Sequence, residues 1–333
     1  MRYRLLGPSG LRVSEICLGT MTFGTDWGWG ADEGECRQIV DAYRAAGGNF
    51  LDTASNYTNG ASERIVGEFT EGDRDRWVIA TKYTLTLDPD DPNAGGNHRK
   101  SLVRALEQSL RRLRTDYVDL LWLHMRDATT PIEEAVRALD DQVRLGKVLY
   151  VGISDSPAWV ISRANAIAEL RGWSPFVAVQ VPYSAAARDP EREILPMAAE
   201  LGLAVTAWGV LEHGLLSGRD PKTLRWPEVP SERALAVVAA VEAVAADVGA
   251  TTGQTAIAWL RRRVIPIVGV RTASQLEENL GAVDVHLSDD QVARIDAVAA
   301  PALGFPRSFL ESDGVRELIY GNTWPLLDVS ASR

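Results

Sequence analysis

The chain has 333 residues, 46% of them hydrophobic, and carries a formal net charge of −10 with a pI near 5.0. That length and hydrophobic content are enough for a large buried core. The acidic balance argues against a nucleic acid or an anionic membrane as a partner and favours a small-molecule ligand.

The cysteines, the histidines and the first residues indicate where the protein works. Cys17 and Cys36 have no partner at metal-ligand spacing, so we expect two buried thiols in a reducing compartment. The four histidines are scattered along the chain, and no metal site is predicted. The beginning lacks the apolar stretch of a signal peptide, and no hydrophobic run approaches membrane-spanning length. We therefore expect a cytoplasmic protein.

The first part of the chain predicts two short strands and a helix. The strands are expected at residues 3–7 and 11–18. A loop that contains Trp27 and Trp29 follows. Apolar residues then recur at helical spacing and end at the pair Gly47-Gly48, which is a typical helix stop.

A regular alternation of strands and helices begins at residue 49. Apolar runs predict strands at 49–52, 77–81, 117–123, 148–153, 176–181, 203–207 and 264–268. With the strand near 13–18 they make eight strand and helix units, whose short connections imply a parallel sheet. Eight units close naturally into a (β/α)₈ TIM barrel. A dinucleotide-binding open sheet is rejected, because the nearest glycine-rich turn, at 28–33, has Glu33 in place of the third glycine and follows no clear strand.

We expect one barrel domain over residues 1–333, with an N-terminal hairpin and first strand at 1–18 and a C-terminal tail at 301–333. Two long stretches, 87–96 and 209–230, follow the third and seventh predicted barrel strands. Loops after barrel strands lie at the active face, so these stretches either shape a pocket or are simple surface loops.

Ionisable side chains stand at the ends of three consecutive predicted strands. Asp52 ends the second strand, with Tyr57 five residues later; Lys82 ends the third strand. His124 ends the fourth. Each residue alone has an ordinary explanation, such as a cap, a loop contact or a solvated amine. Because neighbouring strands lie roughly 4.8 Å apart, all four side chains can meet at one rim, and together they indicate a chemical site.

The group suits proton transfer by a tyrosine. A phenol with a pKa near 10 is a poor acid or base at neutral pH. An ammonium about 4 Å away stabilises the phenolate by roughly 4 kcal/mol at an effective dielectric of 20, or about three pKa units. We therefore expect Lys82 to bring Tyr57 into a useful range. Asp52 would keep the buried ammonium charged, and His124 would orient the substrate oxygen or share its proton.

These residues and several others resemble the aldo-keto reductase superfamily. Asp52, Tyr57, Lys82 and His124 match the family's Asp, Tyr, Lys and His in order and context. The matching region runs from Gly19-Thr20-Met21 to the Glu-Glu-Asn-Leu-Gly run at 277–281, through Gly152-Ile153-Ser154-Asp155, Gln180-Val181-Pro182-Tyr183-Ser184 and Ile265-Pro266-Ile267-Val268-Gly269-Val270-Arg271.

The resemblance implies an oxidoreductase that binds NADPH across the active face of the barrel. Hydride would pass to the carbonyl carbon of an aldehyde or ketone while Tyr57 protonates the oxygen, giving an alcohol. Ser154, Asp155 and Gln180 would hold the carboxamide, and Trp208 would stack on the nicotinamide ring. The resemblance assigns to the cofactor Gly19, Thr20, Met21, Asp52, Ser154, Asp155, Gln180, Trp208, Gly209, Leu211, Gly214, Leu216, Ser217, Gly269, Arg271, Gln275, Glu278 and Asn279.

The chain departs from the family pattern at several of these positions. Asp155 replaces a common Asn, so contact with the carboxamide NH₂ survives but contact with its oxygen does not. Gly209-Val210 replaces the commoner Ser-Pro. The basic residues that many members place at Gly269 and Gln275 are absent. Arg271 could bind a 2′-phosphate instead, which favours NADPH over NADH.

Substrate and function retain alternatives at this stage. Trp27, Trp29 and Met125 suggest a pocket mouth for a hydrophobic or aromatic carbonyl, although loop tryptophans also serve as packing anchors. One rival function is an aldolase barrel in which Lys82 forms a Schiff base. The other is a nucleotide-binding regulatory subunit, since some relatives of these reductases regulate membrane channels. Both leave part of the Asp, Tyr, Lys and His group without a role.

Overall fold

The computed structural model describes residues 1–218 and 230–327, and in it eight parallel strands close into a barrel surrounded by helices. This confirms the predicted (β/α)₈ fold. The parts of the predicted loop 209–230 and tail 301–333 that fall at 219–229 and 328–333 lie outside the described residues.

Ten strands and twelve helices are present among the described residues. The strands are β1 (Tyr3–Leu5), β2 (Arg12–Ser14), β3 (Cys17–Gly19), β4 (Phe50–Asp52), β5 (Val78–Tyr83), β6 (Val118–Leu123), β7 (Val148–Ser154), β8 (Phe176–Pro182), β9 (Ala204–Trp208) and β10 (Ile265–Gly269). The helices are α1 (Glu33–Ala45), α2 (Ala61–Thr70), α3 (Arg99–Leu113), α4 (Ile132–Arg144), α5 (Ala158–Arg171), α6 (Ile194–Glu200), α7 (Glu232–Val248), α8 (Thr252–Arg261), α9 (Ala273–Leu280), α10 (Asp289–Ala299), α11 (Arg307–Leu310) and α12 (Asp313–Tyr320).

The N-terminal hairpin corrects one predicted boundary. The run predicted as a single strand at 11–18 forms two strands, because β2 pairs antiparallel with β1 while β3 joins the barrel. Glu15 lies between them, and its carboxylate forms an ion pair with Arg261 at 2.5 Å. Leu6 and Val13 of the hairpin region are buried in the same cluster as side chains of the barrel interior. The hairpin therefore closes the amino end of the barrel.

The register of the strands brings the polar residues to one end. Asp52 on β4 pairs with Ala80 on β5, and Lys82 on β5 pairs with Trp122 on β6. Side chains two residues apart on a strand share a face, so Lys82 lies on the face of Ala80 and His124 continues the face of Trp122. Ala80 and Trp122 belong to the buried interior cluster. The polar side chains therefore lie just beyond the interior core, at the carboxyl ends of the strands.

The helices pack on the outside of the barrel through apolar stripes. On α3, the residues Leu102, Leu106, Leu110 and Leu113 are buried at spacings of three and four, which is the amphipathic pattern of a helix lying on a sheet. The tail lies outside this layer: Phe305 is 84% exposed, and Val315 is the buried residue of α12. Across the described residues no single helix is long and apolar enough to cross a membrane, although α7 and α8, which meet at a sharp bend, pass that test together.

Candidate active site

A cavity of about 610 Å³ opens at the carboxyl ends of the barrel strands. Its lining residues come from strand ends, from the loop after β9 and from the beginnings of α8 and α9. They are Gly19, Met21, Thr22, Asp52, Tyr57, Gln180, Trp208, Gly209, Val210, Leu211, His213, Gly214, Ser217, Gly253, Ile267, Val268, Gly269, Val270, Arg271, Gln275, Glu278 and Asn279. This is the end of a (β/α)₈ barrel at which ligands bind.

Lys82 joins the polar groups at the base of the cavity. Its fully buried ammonium donates to the Asp52 Oδ2 atom, to the Thr53 carbonyl oxygen at 2.9 Å and to the Tyr57 hydroxyl oxygen at 3.0 Å. An ammonium has three N–H donors, and these contacts use all of them. The arrangement fixes the Tyr57 oxygen beside a positive charge.

Asp52 and Gln180 form a second contact at the same place. The Gln180 side-chain amide donates through Nε2 to Asp52 Oδ1 at 3.0 Å, and both residues are buried. The carboxylate therefore accepts a hydrogen bond on each oxygen. With its N–H group engaged, Gln180 has its carbonyl oxygen left for the ligand contact that the sequence assigned to it.

The electrostatics of Lys82 disfavour a nucleophilic amine. Burial alone lowers the pKa of Lys82, but the Asp52 carboxylate and the Tyr57 hydroxyl raise it, and the net pKa lies above the ordinary lysine value. A lysine that forms a Schiff base has to lose its proton. The site therefore does not suit the aldolase alternative.

The expectation that Lys82 is enough to bring the pKa of Tyr57 below its ordinary value is wrong, because the net shift is upward. Burial raises the pKa of Tyr57, the Lys82 ammonium opposes this shift, and the net pKa lies above the ordinary value. Charging a phenolate among packed groups is costly, and the positions of residues along strands do not reveal that cost. Tyr57 is therefore a neutral hydroxyl at physiological pH and can serve as a proton donor.

His124 faces Tyr57 as a neutral ring. The two ring centroids are 6.1 Å apart and the planes meet at 81°. Burial, with a contribution from the Lys82 ammonium, lowers the pKa of His124 to about 3. A neutral imidazole has one N–H donor and one acceptor nitrogen. Of the two roles considered from the sequence, orienting a substrate oxygen fits this state better than sharing a proton.

Four residues assigned to the cofactor do not line the cavity. Thr20 is fully buried, and its hydroxyl donates to the Asp52 carbonyl oxygen at 3.1 Å. Leu216 is fully buried in the core. Ser154 is buried, and Asp155 Oδ1 accepts a hydrogen bond at 3.3 Å from the indole of Trp208, which does line the cavity. The other assigned positions form part of the wall.

Several lining residues were missed by the sequence reasoning. They are Thr22, Val210, His213, Gly253, Ile267, Val268 and Val270. Thr22 directly follows Met21, which the sequence assigns to the cofactor. Its position beside that residue is therefore enough to indicate it as a candidate. His213 adopts a left-handed conformation with φ 55°, and Gly253 belongs to α8. Neither lies at a strand end, so the pattern of polar residues at strand ends does not indicate them.

The start of α9 forms the far end of the cavity. Thr272 caps the helix by accepting from the Gln275 N–H, and the Gln275 side chain accepts from the Arg271 N–H at 2.9 Å. Glu35 accepts from the Ala273 N–H at 2.7 Å. The Arg271 guanidinium is exposed and makes no ion pair or hydrogen bond within the described part of the chain. A cation without a partner among the described residues thus borders the cavity.

Trp27, Trp29 and Met125, which were assigned to the substrate, lie on loops and do not line the cavity. The Trp27 and Trp29 rings are 5.4 Å apart at 47°, and the Trp27 indole donates to Asn59 at 3.4 Å. Met125 follows His124 and is 36% exposed.

Among the described residues, no group of three or more His, Cys, Asp and Glu side chains is placed to hold a metal ion.

Comparison with known proteins gives one consistent family. The model of the aldo/keto reductase family matches residues 15–300. Norsolorinic acid reductase A of Aspergillus parasiticus is 39% identical over 326 residues, which cover 92% of this chain and 84% of the relative. Aryl-alcohol dehydrogenase [NADP(+)] of Phanerodontia chrysosporium is 39% identical over 339 residues, covering 92% and 88%. Aldo-keto reductase ausK of Emericella nidulans is 35% identical over 362 residues, covering 100% and 91%.

Proposed function

We propose that this chain, which belongs to the aldo/keto reductase family and is an NAD(P)H-dependent oxidoreductase, reduces an aromatic or other hydrophobic aldehyde or ketone with NADPH. Tyr57 donates the proton. The observation that carries the proposal is the Tyr57 hydroxyl at the cavity wall, 3.0 Å from the Lys82 ammonium.

The charged and neutral groups at the base of the cavity have different roles in the proposed reaction. The reduced nicotinamide ring, when bound, supplies the hydride. Tyr57, neutral because burial raises its pKa, donates its proton to the oxygen that gains negative charge. Lys82 then stabilises the phenolate left behind, and Asp52 keeps that ammonium charged. The neutral His124 directs the substrate oxygen towards Tyr57.

The cavity wall fits a dinucleotide cofactor. Trp208, which is 38% exposed, offers an aromatic surface for the nicotinamide ring. The loop after β9 brings backbone close to the cavity at Gly209 and Gly214, whose φ values of 70° and 106° suit glycine, and this loop would follow the pyrophosphate. At the far end Arg271, Gln275 and Asn279 would hold the adenosine part.

Arg271 supports NADPH over NADH. Its guanidinium is free among the described residues and can bind a 2′-phosphate through two parallel hydrogen bonds. The name of one relative includes NADP(+). The Glu35 carboxylate, which accepts a hydrogen bond at the start of α9, repels a phosphate. We therefore expect NADPH to be preferred but NADH not to be excluded.

The names of two relatives and the aromatic residues of one loop support a substrate class. One relative is named for aryl alcohols and another for norsolorinic acid. The paired rings of Trp27 and Trp29 give this chain an aromatic surface at the active face. We therefore propose aromatic aldehydes and ketones as the preferred substrates.

A titration followed by an activity panel tests the proposal. Binding of NADPH and NADH is measured by fluorescence, and NADPH oxidation is then followed with matched aromatic and aliphatic aldehydes and ketones at saturating nucleotide. We expect NADPH to bind more tightly and the aromatic carbonyls to give the higher kcat/KM. Tight NADPH binding without oxidation by any carbonyl would instead support a regulatory, non-catalytic protein.

A further inference from the structure

Asp155 holds an unusual position behind the nicotinamide end of the cavity. It follows the last residue of β7 and adopts a left-handed conformation with φ 40°, which Asp and Asn tolerate better than most residues. Its backbone N–H donates to the Gln180 carbonyl oxygen at 3.3 Å. Its Oδ1 atom accepts from the indole N–H of Trp208 at 3.3 Å. The carboxyl group is therefore held at the edge of the ring that lines the cavity.

The charges at this end of the cavity do not cancel. The Lys82 ammonium and the Asp52 carboxylate form an ion pair and together contribute no net charge. Tyr57 and His124 are neutral at physiological pH, as shown by the directions of their pKa shifts. Asp155 has no ion-pair partner among the described residues. Burial raises its pKa above the ordinary aspartate value, and the hydrogen bond from Trp208 opposes that shift. When Asp155 is ionised, its carboxylate leaves a net negative charge beside Trp208.

Arg126, whose backbone contacts Asp155, does not remove this charge. The backbone N–H of Arg126 donates to the Asp155 carbonyl oxygen at 3.5 Å, but its guanidinium donates to the Thr130 carbonyl oxygen at 3.5 Å. The contact from Trp208 also fits an ionised Asp155, because an indole N–H is a donor only. An Asn at this position would accept the same hydrogen bond without the charge.

We propose that Asp155 makes the site select the oxidised nicotinamide over the reduced one. The inference rests on the proposed function, in which the nicotinamide ring lies on Trp208. A reduced ring is neutral; after it gives up hydride, with its two electrons, it carries one positive charge. The hydride forms the new C–H bond of the alcohol, and the proton comes from Tyr57. Asp155 exchanges no atom or electron and acts by Coulomb attraction to the ring.

The size of the effect follows from the charge separation. Two unit charges about 7 Å apart, roughly the length of an indole ring, attract enough to change a dissociation constant about 3-fold at an effective dielectric of 80 and about 50-fold at 20. Asp155 would therefore favour the product side of carbonyl reduction on the protein. It would also slow release of the oxidised nucleotide.

The test compares NADP⁺ with NADPH on the full chain by calorimetric titration at about pH 8, where carboxyl groups are ionised. The measured quantity is the ratio of the NADP⁺ dissociation constant to the NADPH dissociation constant. We expect Asp155→Asn to raise this ratio by about 3-fold to about 50-fold. The Asn side chain has the same size and still accepts the hydrogen bond from Trp208, so the charge is the main property that changes.

Two further variants separate charge from structure. Asp155→Gly, which suits the positive φ, removes both the charge and the hydrogen bond, and we expect the same rise in the ratio. Trp208→Phe keeps a ring and the carboxylate but loses the indole N–H, so both nucleotides should weaken alike and the ratio should stay near that of the unmodified protein. If both Asp155 variants bind the nucleotides with the unmodified ratio, the inference is overturned and the proposed function stands. If the unmodified chain binds neither nucleotide, that result contradicts the proposed function itself.

Discussion

Tyr57 has a raised pKa and lies beside the Lys82 ammonium. Together these features favour donation of its proton over removal of a proton from a substrate. Burial raises the pKa of the Tyr57 hydroxyl, so the proton stays on Tyr57 at physiological pH. An alkoxide formed from a carbonyl is a stronger base than a phenolate and takes that proton readily. The reverse reaction, oxidation of an alcohol, needs the phenolate as a base, which is scarce at neutral pH.

This asymmetry predicts different pH profiles for the two directions. A group whose pKa is raised keeps its proton until the pH passes that raised value, and His124, with a pKa of about 3, stays neutral. Between about pH 6 and about pH 9, kcat for carbonyl reduction should change by less than about 2-fold, while kcat for alcohol oxidation should rise with pH. A loss of reduction with a midpoint near pH 7 would show that Lys82 lowers the pKa of Tyr57 after all.

Lys82 is also expected to matter for folding. Lys82→Met leaves the buried Asp52 carboxylate without its counter-charge, which costs about 3 to 5 kcal/mol of unfolding free energy. The double variant Asp52→Asn with Lys82→Met should recover part of that stability without recovering activity. Urea unfolding measures both.

A matched control for this prediction is Lys147→Met. Lys147 forms an ion pair with the partly exposed Glu107, and such surface pairs contribute about 1 kcal/mol or less. If both lysine variants lose the same small amount of stability, the buried pair does not hold the site together.

At the scale of the elements, the start of α9 decides which nucleotide is preferred. The chain's own side chains already occupy the backbone N–H groups of Arg271, Ala273 and Gln275. The Arg271 guanidinium is then the main group available to a 2′-phosphate. Arg271→Ala should weaken NADPH binding roughly 10-fold and NADH binding by less than about 2-fold.

Fluorescence titration of both nucleotides checks this prediction. Arg294→Ala is a suitable control, because Arg294 is a half-exposed arginine that pairs with Asp247 outside the cavity. It should change neither affinity. Equal losses of NADPH and NADH in the Arg271 variant would remove the assignment of the 2′-phosphate.

At the scale of the whole molecule, the barrel could be predicted because its strands are buried on both faces. A strand such as Val118–Leu123 appears in the sequence as a continuous apolar run between helical segments. The same property concealed the break at Glu15. The residues of β2 and β3 are both largely buried, so nothing in the run 11–18 distinguishes the hairpin from the barrel.

The base of the candidate site was predictable for a geometric reason. Carboxyl ends of parallel strands meet at one rim, so Asp52, Lys82 and His124 had to lie close together once the strands were placed. The pKa of Tyr57 depends on how tightly other groups pack around its hydroxyl, which strand positions do not specify. Gly253 enters the wall from the first turn of α8, which follows the helix α7 rather than a strand, and no local pattern indicates it.

The most direct measurement of the central claim is single-turnover reduction of an aromatic aldehyde by the NADPH-loaded protein with Tyr57→Phe. Tyr117→Phe is the matched control, because Tyr117 precedes β6 at the amino end of the barrel and its hydroxyl contacts Asp75. We predict that Tyr57→Phe binds NADPH with less than about 2-fold change but oxidises it at least about 100-fold more slowly, while the control reacts normally. Oxidation of NADPH by the Tyr57 variant at the unmodified rate would show that the proton comes from another group.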